Sequence, residues 1–410
     1  MTQAPAASAS VGVSRMRSPG GATRSGRRLL TIGHSYCVAV NRRLAHEMAR
    51  EGGKDWEVTA VAPEFFHGDL RPIHTERAPS ELCHLETVPA FLSSRIHFFF
   101  YGRKLHEILS RPWDLVHCWE EPYIVAGGQI AWWTPRATPL VFWTGQTIQK
   151  NYPPPFSAIE RYCVSRCAGW TARGENGVAA LLPRGYDRKP HRVMPLGVDL
   201  ELFHPDTRAG EYVRAQLGWP STGGPVVGFM GRFVEEKGIR TLTTALDRVE
   251  SDWRALFVGG GPLEGFIREW SARYGERVRI VTGIPHDRVP EYLNAMDLMC
   301  APSETAPNWR EVFGRMIVEA FACGVPVIAS NSGEIPRVIA DAGRIVNEHA
   351  PDELADAIRE MLENPALRND FAARGLERVR TTYTWSIVAR RHLDFFEELL
   401  QPGAPSQWTD

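Results

Sequence analysis

Short apolar runs of strand length alternate with amphipathic stretches of helix length twice along this chain, and that rhythm limits its fold more tightly than any other feature. The first series is RRLLTIG, a helical stretch near 38–52, WEVTAVA, a second near 95–111, WDLVHC, a third near 122–133, and PLVFW. Strand-sized runs separated by helices fit a parallel sheet, because parallel neighbours need a crossover and the crossover helices then cover both faces. The rhythm restarts at residue 225 with PVVGFMG, WRALFVGGG, RVRIVTG, DLMCAPS, VPVIAS and GRIVN, reaching about residue 363. The expected class is α/β, with two doubly wound parallel-sheet, Rossmann-like domains facing a central cleft. The segment HRVMPLGVDLELFHPDT, with Pro195, Gly197 and Pro205, reads as the linker between them.

Composition narrows the function classes. At 410 residues the chain exceeds one ordinary core, and a net charge of -1 offers no basic footprint for a nucleic-acid partner. No apolar run approaches the roughly 20 residues that span a bilayer, and the N-terminus lacks the apolar core of a secretory signal. The expected location is therefore the cytosol. Seven cysteines, at 37, 83, 118, 163, 167, 300 and 323, form no C-x-x-C pair, which argues against a disulfide framework or zinc site. Residues 1–26 are rich in Ala, Ser, Gly and Arg and read as a disordered tail, as do 401–410. The first 46 residues hold seven arginines and no acid, which suits either plain solvation or peripheral contact with an anionic membrane.

In doubly wound sheets, ligands bind beyond the carboxyl ends of the strands, so the loops there carry the chemistry. In GFMGRFVEEKGIRTL, Gly231 permits close backbone approach, while Arg232 and Lys237 bring positive charge to a helix start near Glu236. FVGGGP is a second glycine-rich turn without the full dinucleotide fingerprint. The stretch WREVFGRMIVEAFACGVPVIAS predicts a helix from about Gly314 to Gly324, with Glu311 in the preceding loop and Glu319 inside the helix. Their separation is on the order of 10 Å, which matches the two ends of a nucleotide sugar. The amides around Phe313, Gly314 and Arg315 form the positive helix end, suited to a diphosphate, and each carboxylate suits a pair of hydroxyls. Taken singly, the same two glutamates also fit solvated helix positions.

Together these motifs resemble the family-4 retaining glycosyltransferases of GT-B architecture over nearly all of residues 27–400. The resemblance rests on MPLGVDLELFHP, MGRFVEEKG, FVGGGP, VTGIPHDRVPEYLNAMDLMCAPS, and the E-x7-E motif from Glu311 to Glu319 followed by EAFACGVPVIASNSGEIP. It implies an acceptor-side domain over 27–200, a nucleotide-sugar domain over 201–382, and a helix at 383–400 that crosses back to the first domain. It also implies that Glu319 holds the donor ribose and that Ile284 lines the nucleobase pocket. Glu311 with Val312, Phe313, Gly314 and Arg315 would hold the transferred sugar, and Arg232 and Lys237 would neutralise the diphosphate. Arg232, Lys237 and Glu311 are the expected catalytic residues of a hexosyltransferase that retains anomeric configuration.

In the first domain, Gly33 and His34 follow the first strand, where the family brings a loop to the diphosphate; His34 equally suits a structural role. Glu120 and Glu121 in HCWEEPY suit acceptor hydroxyls or the start of the next helix. Gln146 stands where many relatives carry a histidine, a departure that leaves that histidine's role unassigned. RIHFFFYGRKLHEIL reads either as a core helix or as an exposed aromatic and basic seat for a lipid-linked acceptor. No D-x-D motif occurs, so neither metal nor cofactor is expected, and the partners are a nucleoside diphosphate sugar and a hydroxyl acceptor. A sugar phosphorylase, a nucleotide-sugar epimerase and a non-catalytic nucleotide-sugar-binding protein are the alternatives.

Overall fold

The computed structural model describes residues 26–68, 72–219 and 223–401. The expected tails at 1–26 and 401–410 therefore lie outside the described residues, apart from Gly26 and Gln401. The first domain is built on a seven-stranded parallel sheet. Its strand order is His191–Val193, Gly169–Ala172, Leu140–Thr144, Leu115–Cys118, Arg27–Ile32, Trp56–Pro63 and His84–Val88. The second carries six parallel strands in the order Val278–Val281, Arg254–Gly260, Val226–Arg232, Leu298–Ala301, Val327–Ser330 and Arg344–Val346. Near-continuous burial along strands such as Leu115–Cys118 and Val327–Ser330 follows from helices covering both faces.

The strand order reverses at Arg27–Ile32 in one sheet and at Val226–Arg232 in the other. Each is flanked on one side by the strand that follows it in the chain and on the other by a later one, so the helices leaving those neighbours diverge to opposite faces. A crevice opens between them at the carboxyl ends. The two crevices open beside Gly33 and Trp119 in the first domain, and beside Phe233 and Pro302 in the second.

The helix Trp385–Leu400 starts at a Thr384 side chain that accepts from the Ile387 amide. Its Val388, Leu393, Phe395 and Phe396 pack with Leu29, Leu44, Met48 and Trp56 of the first domain. The last helix among the described residues thus closes the core of the first domain. All seven cysteines are buried thiols, and burial raises those that titrate abnormally.

Two local expectations are corrected. The stretch 95–111 is not one helix: strands Ala90–Phe91 and Phe100–Tyr101 pair antiparallel, and only Lys104–Leu109 is helical. The strands His84–Val88, Gly169–Ala172 and His191–Val193 were absent from the expected rhythm. Each is short and interrupted by polar residues or glycine, which hides it from an apolar-run pattern.

Candidate active site

Gly314 adopts φ +80° and ψ 57°, a left-handed conformation that glycine accepts without strain, and launches the helix Arg315–Ala322. A side chain there would also press on Ile317, with a Cβ 2.9 Å from its Cδ1. The turn puts Glu311 before the helix and Arg315 in its first turn, while Glu319 follows one turn later. Both glutamates are buried. Phe313 turns into the core against the Tyr383 ring, 5.6 Å between centroids, so only its backbone faces the cleft.

Glu311 is ion-paired with Lys237 Nζ and accepts from Ser303 Oγ at 3.0 Å. Lys237 also lies 5.1 Å above the Trp309 ring. The backbone amide of Glu334 donates to the Glu311 carbonyl at 3.1 Å, tying the loop to the segment after Val327–Ser330. Glu319 Oε1 lies 3.2 Å from His286 Nε2. Arg232, exposed at the end of its strand, and Arg315 make no side-chain hydrogen bond or ion pair among the described residues. Gly231 has φ +150°, which disfavours any side chain.

A cavity of about 210 Å³ opens between the domains, walled by Val40, Arg43 and His46 on one side and by Phe203, His286, Arg315 and Glu319 on the other. Ile284 is half-buried against the second domain's core, whereas its neighbour His286 faces this cavity. The sequence offered His286 in the quoted VTGIPHDRVP run, yet no spacing rule singled it out. A second cleft of about 200 Å³ lies between Glu121, Gln146, Lys150 and Tyr152 of the first domain and Asn308, Trp309, Arg310 and Val312 of the second.

The two first-domain glutamates are occupied. Glu120 is fully buried; its carboxylate accepts from the His34 amide, from the Tyr101 hydroxyl at 2.5 Å, and meets His34 Nδ1 at 2.6 Å. These bonds hold His34 in place. Glu121 accepts from Thr144 Oγ1 at 2.8 Å, the Gly145 amide at 2.7 Å and Gln146 Nε2 at 3.1 Å. Burial still raises its pKa, although those bonds oppose the rise. Its work is to hold the Gly145–Gln146 turn. Gln146 in turn accepts from Tyr152 at 2.9 Å and Arg184 at 2.7 Å, so its side chain is fixed at the cleft wall. Gly33 is extended and close against Trp119, where an added Cβ would sit 3.0 Å from the Trp119 Cβ.

Arg173 was not foreseen. It follows the strand Gly169–Ala172, and its guanidinium carbon lies 4.8 Å over the Trp143 ring. The only sequence signal was an arginine at the carboxyl end of a four-residue strand.

Two facing parallel sheets with crevices opposed across a cleft define the GT-B fold. Residues 214–378 match the model of the glycosyl transferases group 1. The chain is 32% identical over 205 residues, 48% of it and 54% of the relative, to a GDP-mannose-dependent monoacylated alpha-(1-6)-phosphatidylinositol monomannoside mannosyltransferase of Corynebacterium glutamicum. It is 30% identical over 234 residues, 54% of it and 58% of the relative, to a 2-deoxystreptamine glucosyltransferase of Streptomyces kanamyceticus. These matches span a little over half the length of each curated relative. Among solved structures, sucrose-phosphate synthase from Thermosynechococcus elongatus superposes with a TM-score of 0.69 at 22% identity, covering 91% of this chain and 99% of that one. HepE of Anabaena, in complex with UDP and glucose, gives 0.69 at 18% identity, with 90% and 99% covered. At these identities the likeness bears on the fold.

Proposed function

We propose that this protein transfers a glycosyl group from a nucleoside diphosphate sugar to a hydroxyl, retaining anomeric configuration and using no metal, in glycoconjugate or polysaccharide biosynthesis. The observation that supports this reading best is one helix start, Gly314 to Glu319, that presents Arg315 and Glu319 to a cavity walled by both domains, with Glu311 on the preceding loop paired to Lys237 of the turn after Val226–Arg232. Breaking the glycosidic bond places negative charge on the leaving diphosphate. Arg232, Lys237 and the amides at the helix start would stabilise it where water is scarce. Glu319 would take the ribose hydroxyls, and Glu311 with the Val312–Arg315 backbone the transferred sugar. With front-face attack the leaving phosphate receives the acceptor proton, so no protein nucleophile is required.

The acceptor would enter the second cleft, where Gln146, Asn308 and Lys150 offer hydrogen bonds and Tyr152 and Trp309 offer flat apolar faces. Exposed Phe91, Leu92, Ile96, Phe98 and Phe100 on the 90–101 hairpin, beside Arg95, Arg103 and Lys104, favour a lipid-linked acceptor reached from the inner face of a membrane. Among the described residues no helix is long and apolar enough to cross one.

Thermal melting with UDP-, GDP- and ADP-sugars and the free nucleotides tests the reading, because a ligand selective for the folded state raises the melting temperature. A shift of several degrees for one nucleotide, lost in Glu319→Ala, is expected. No shift with any member of the panel, together with no turnover, would overturn it.

A further inference from the structure

Two other arginines packed inside the first domain are well supplied with partners. Arg42 has no exposed surface and donates to the Tyr36 and Glu76 carbonyls and to the Glu81 carboxylate. Arg184 donates to Gln146 and Glu160. Arg173 differs from both. It makes no side-chain hydrogen bond or ion pair among the described residues, and its Nε is shut off from solvent with no partner.

The charges that face Arg173 are Arg315, Glu121 and Glu311. Neither carboxylate is available: Glu121 is committed to the Gly145–Gln146 turn, and Glu311 to Lys237 and Ser303. Burial first, then repulsion from Arg315, brings the Arg173 guanidinium down to about 10. A half-buried cation beside a second cation, without a committed anion, is left short of a counter-charge.

The arrangement is held rigidly. Trp143, under the guanidinium, is itself stacked on Trp119 at 4.5 Å and 11°. The next residue, Gly174, has no room for a side chain because Glu334 of the second domain occupies the space. That carboxylate accepts from the Asn176 amide at the start of the helix Glu175–Leu181. The seam between the domains therefore runs directly beside Arg173, and Arg315 lines the interdomain cavity from the second domain, near enough for its charge to act on Arg173.

We propose that Arg173 and Arg315 are the two halves of an anion site that straddles the cleft and binds a phosphate group of a substrate. Five guanidinium N–H donors on each side match a tetrahedral oxyanion, and the second domain's half stands at a helix start. The site rests on the proposed function for its substrates; the phosphate belongs either to the leaving diphosphate or to a phosphorylated acceptor.

Calorimetric titrations of wild type, Arg173→Gln and Arg173→Lys with UDP, GDP, their nucleosides and inorganic phosphate would decide. A tenfold or greater loss of nucleoside diphosphate affinity in Arg173→Gln, with nucleoside affinity within twofold, assigns the leaving diphosphate. Unchanged nucleotide affinity, with inorganic phosphate binding to the nucleotide-loaded wild type but not to the variant, assigns the acceptor phosphate. Arg173→Lys keeps the charge and loses the fork, so it is expected between the two and serves where Gln does not fold. Equal binding of every probe by all three proteins overturns the anion site, and the glycosyltransferase reading survives if Glu319→Ala still abolishes nucleotide binding. If wild type binds no nucleotide, that reading fails on its own and pyrophosphate becomes the probe: loss in Arg173→Gln supports the site, and no difference overturns it.

Discussion

Lys237 and Glu311 are mostly buried, with side-chain exposures of 11% and 8%, and each neutralises the other. Removing one member of such a pair strands the other charge, at a cost of about 3–5 kcal/mol. Lys237→Ala is therefore expected to lower both melting temperature and kcat, the latter by at least a hundredfold if the lysine also meets the leaving diphosphate. The double variant Lys237→Ala/Glu311→Gln separates the two effects: its stability should recover while kcat stays low, and full recovery of turnover would remove both residues from the catalytic set. At this scale the sequence was legible where local spacing sets the geometry. Glu311 and Glu319 flank one helix start, so their spacing could be read from the letters, whereas the partners that hold them, Lys237 and His286, come from other loops. Glu120 and Glu121 were not legible. Adjacent in sequence, they reach His34 and Gln146 respectively, and which one faces which depends on the path of loops brought together by the sheet. Arg173 and His286 escaped for the same reason.

Elements built on hydrophobic rhythm were readable, whereas the 90–101 hairpin was not. From Phe98 to Tyr101 the side chains alternate exposed, buried, exposed, buried, which is the period of a strand. Because all four are aromatic, that period is invisible in the letters. The stretch reads equally as a helix, and only the pairing of Phe91 with Phe100 settles it. The structure leaves Phe91 and Phe98 about half exposed while Phe99 fills the core. His97 nevertheless approaches Tyr123, a residue of the acceptor-side cleft, at 5.8 Å between ring centroids, so the hairpin is next to where an acceptor would enter. The protein is expected to co-sediment with vesicles containing anionic lipid and far less with neutral ones. Phe91→Ser/Phe98→Ser should cut that binding about tenfold without lowering the melting temperature, since neither ring is in the core. Undiminished binding by the folded double variant would dismiss the hairpin as the docking element.

For the whole molecule, the helix Trp385–Leu400 is the piece that joins the end of the chain to the first sheet, and it carries a pH dependence with it. His392 is buried among Phe396, Phe395 and the His117 ring, 5.8 Å away, and its Nδ1 donates to the Val388 carbonyl at 2.8 Å. Burial lowers His392 to about 4 and holds His117 well below the ordinary histidine range. Both are neutral in the folded protein near pH 7. The unfolded chain takes up their protons near pH 6.5, before the folded protein can, so their contribution is fully present above that value and is lost as the pH falls toward 4. Each histidine can withdraw up to about 1.4 kcal/mol per pH unit in that window, or about 2 kcal/mol for His392 between pH 7.5 and 5.0. His392→Leu removes one of the two titrations while keeping an apolar side chain in the cluster. Its melting temperature should therefore fall less than that of wild type over this range, by several degrees, whatever the offset between the two proteins at pH 7.5. Parallel declines would mean that acid acts elsewhere, on the carboxylate network of the cleft rather than on the helix that crosses back.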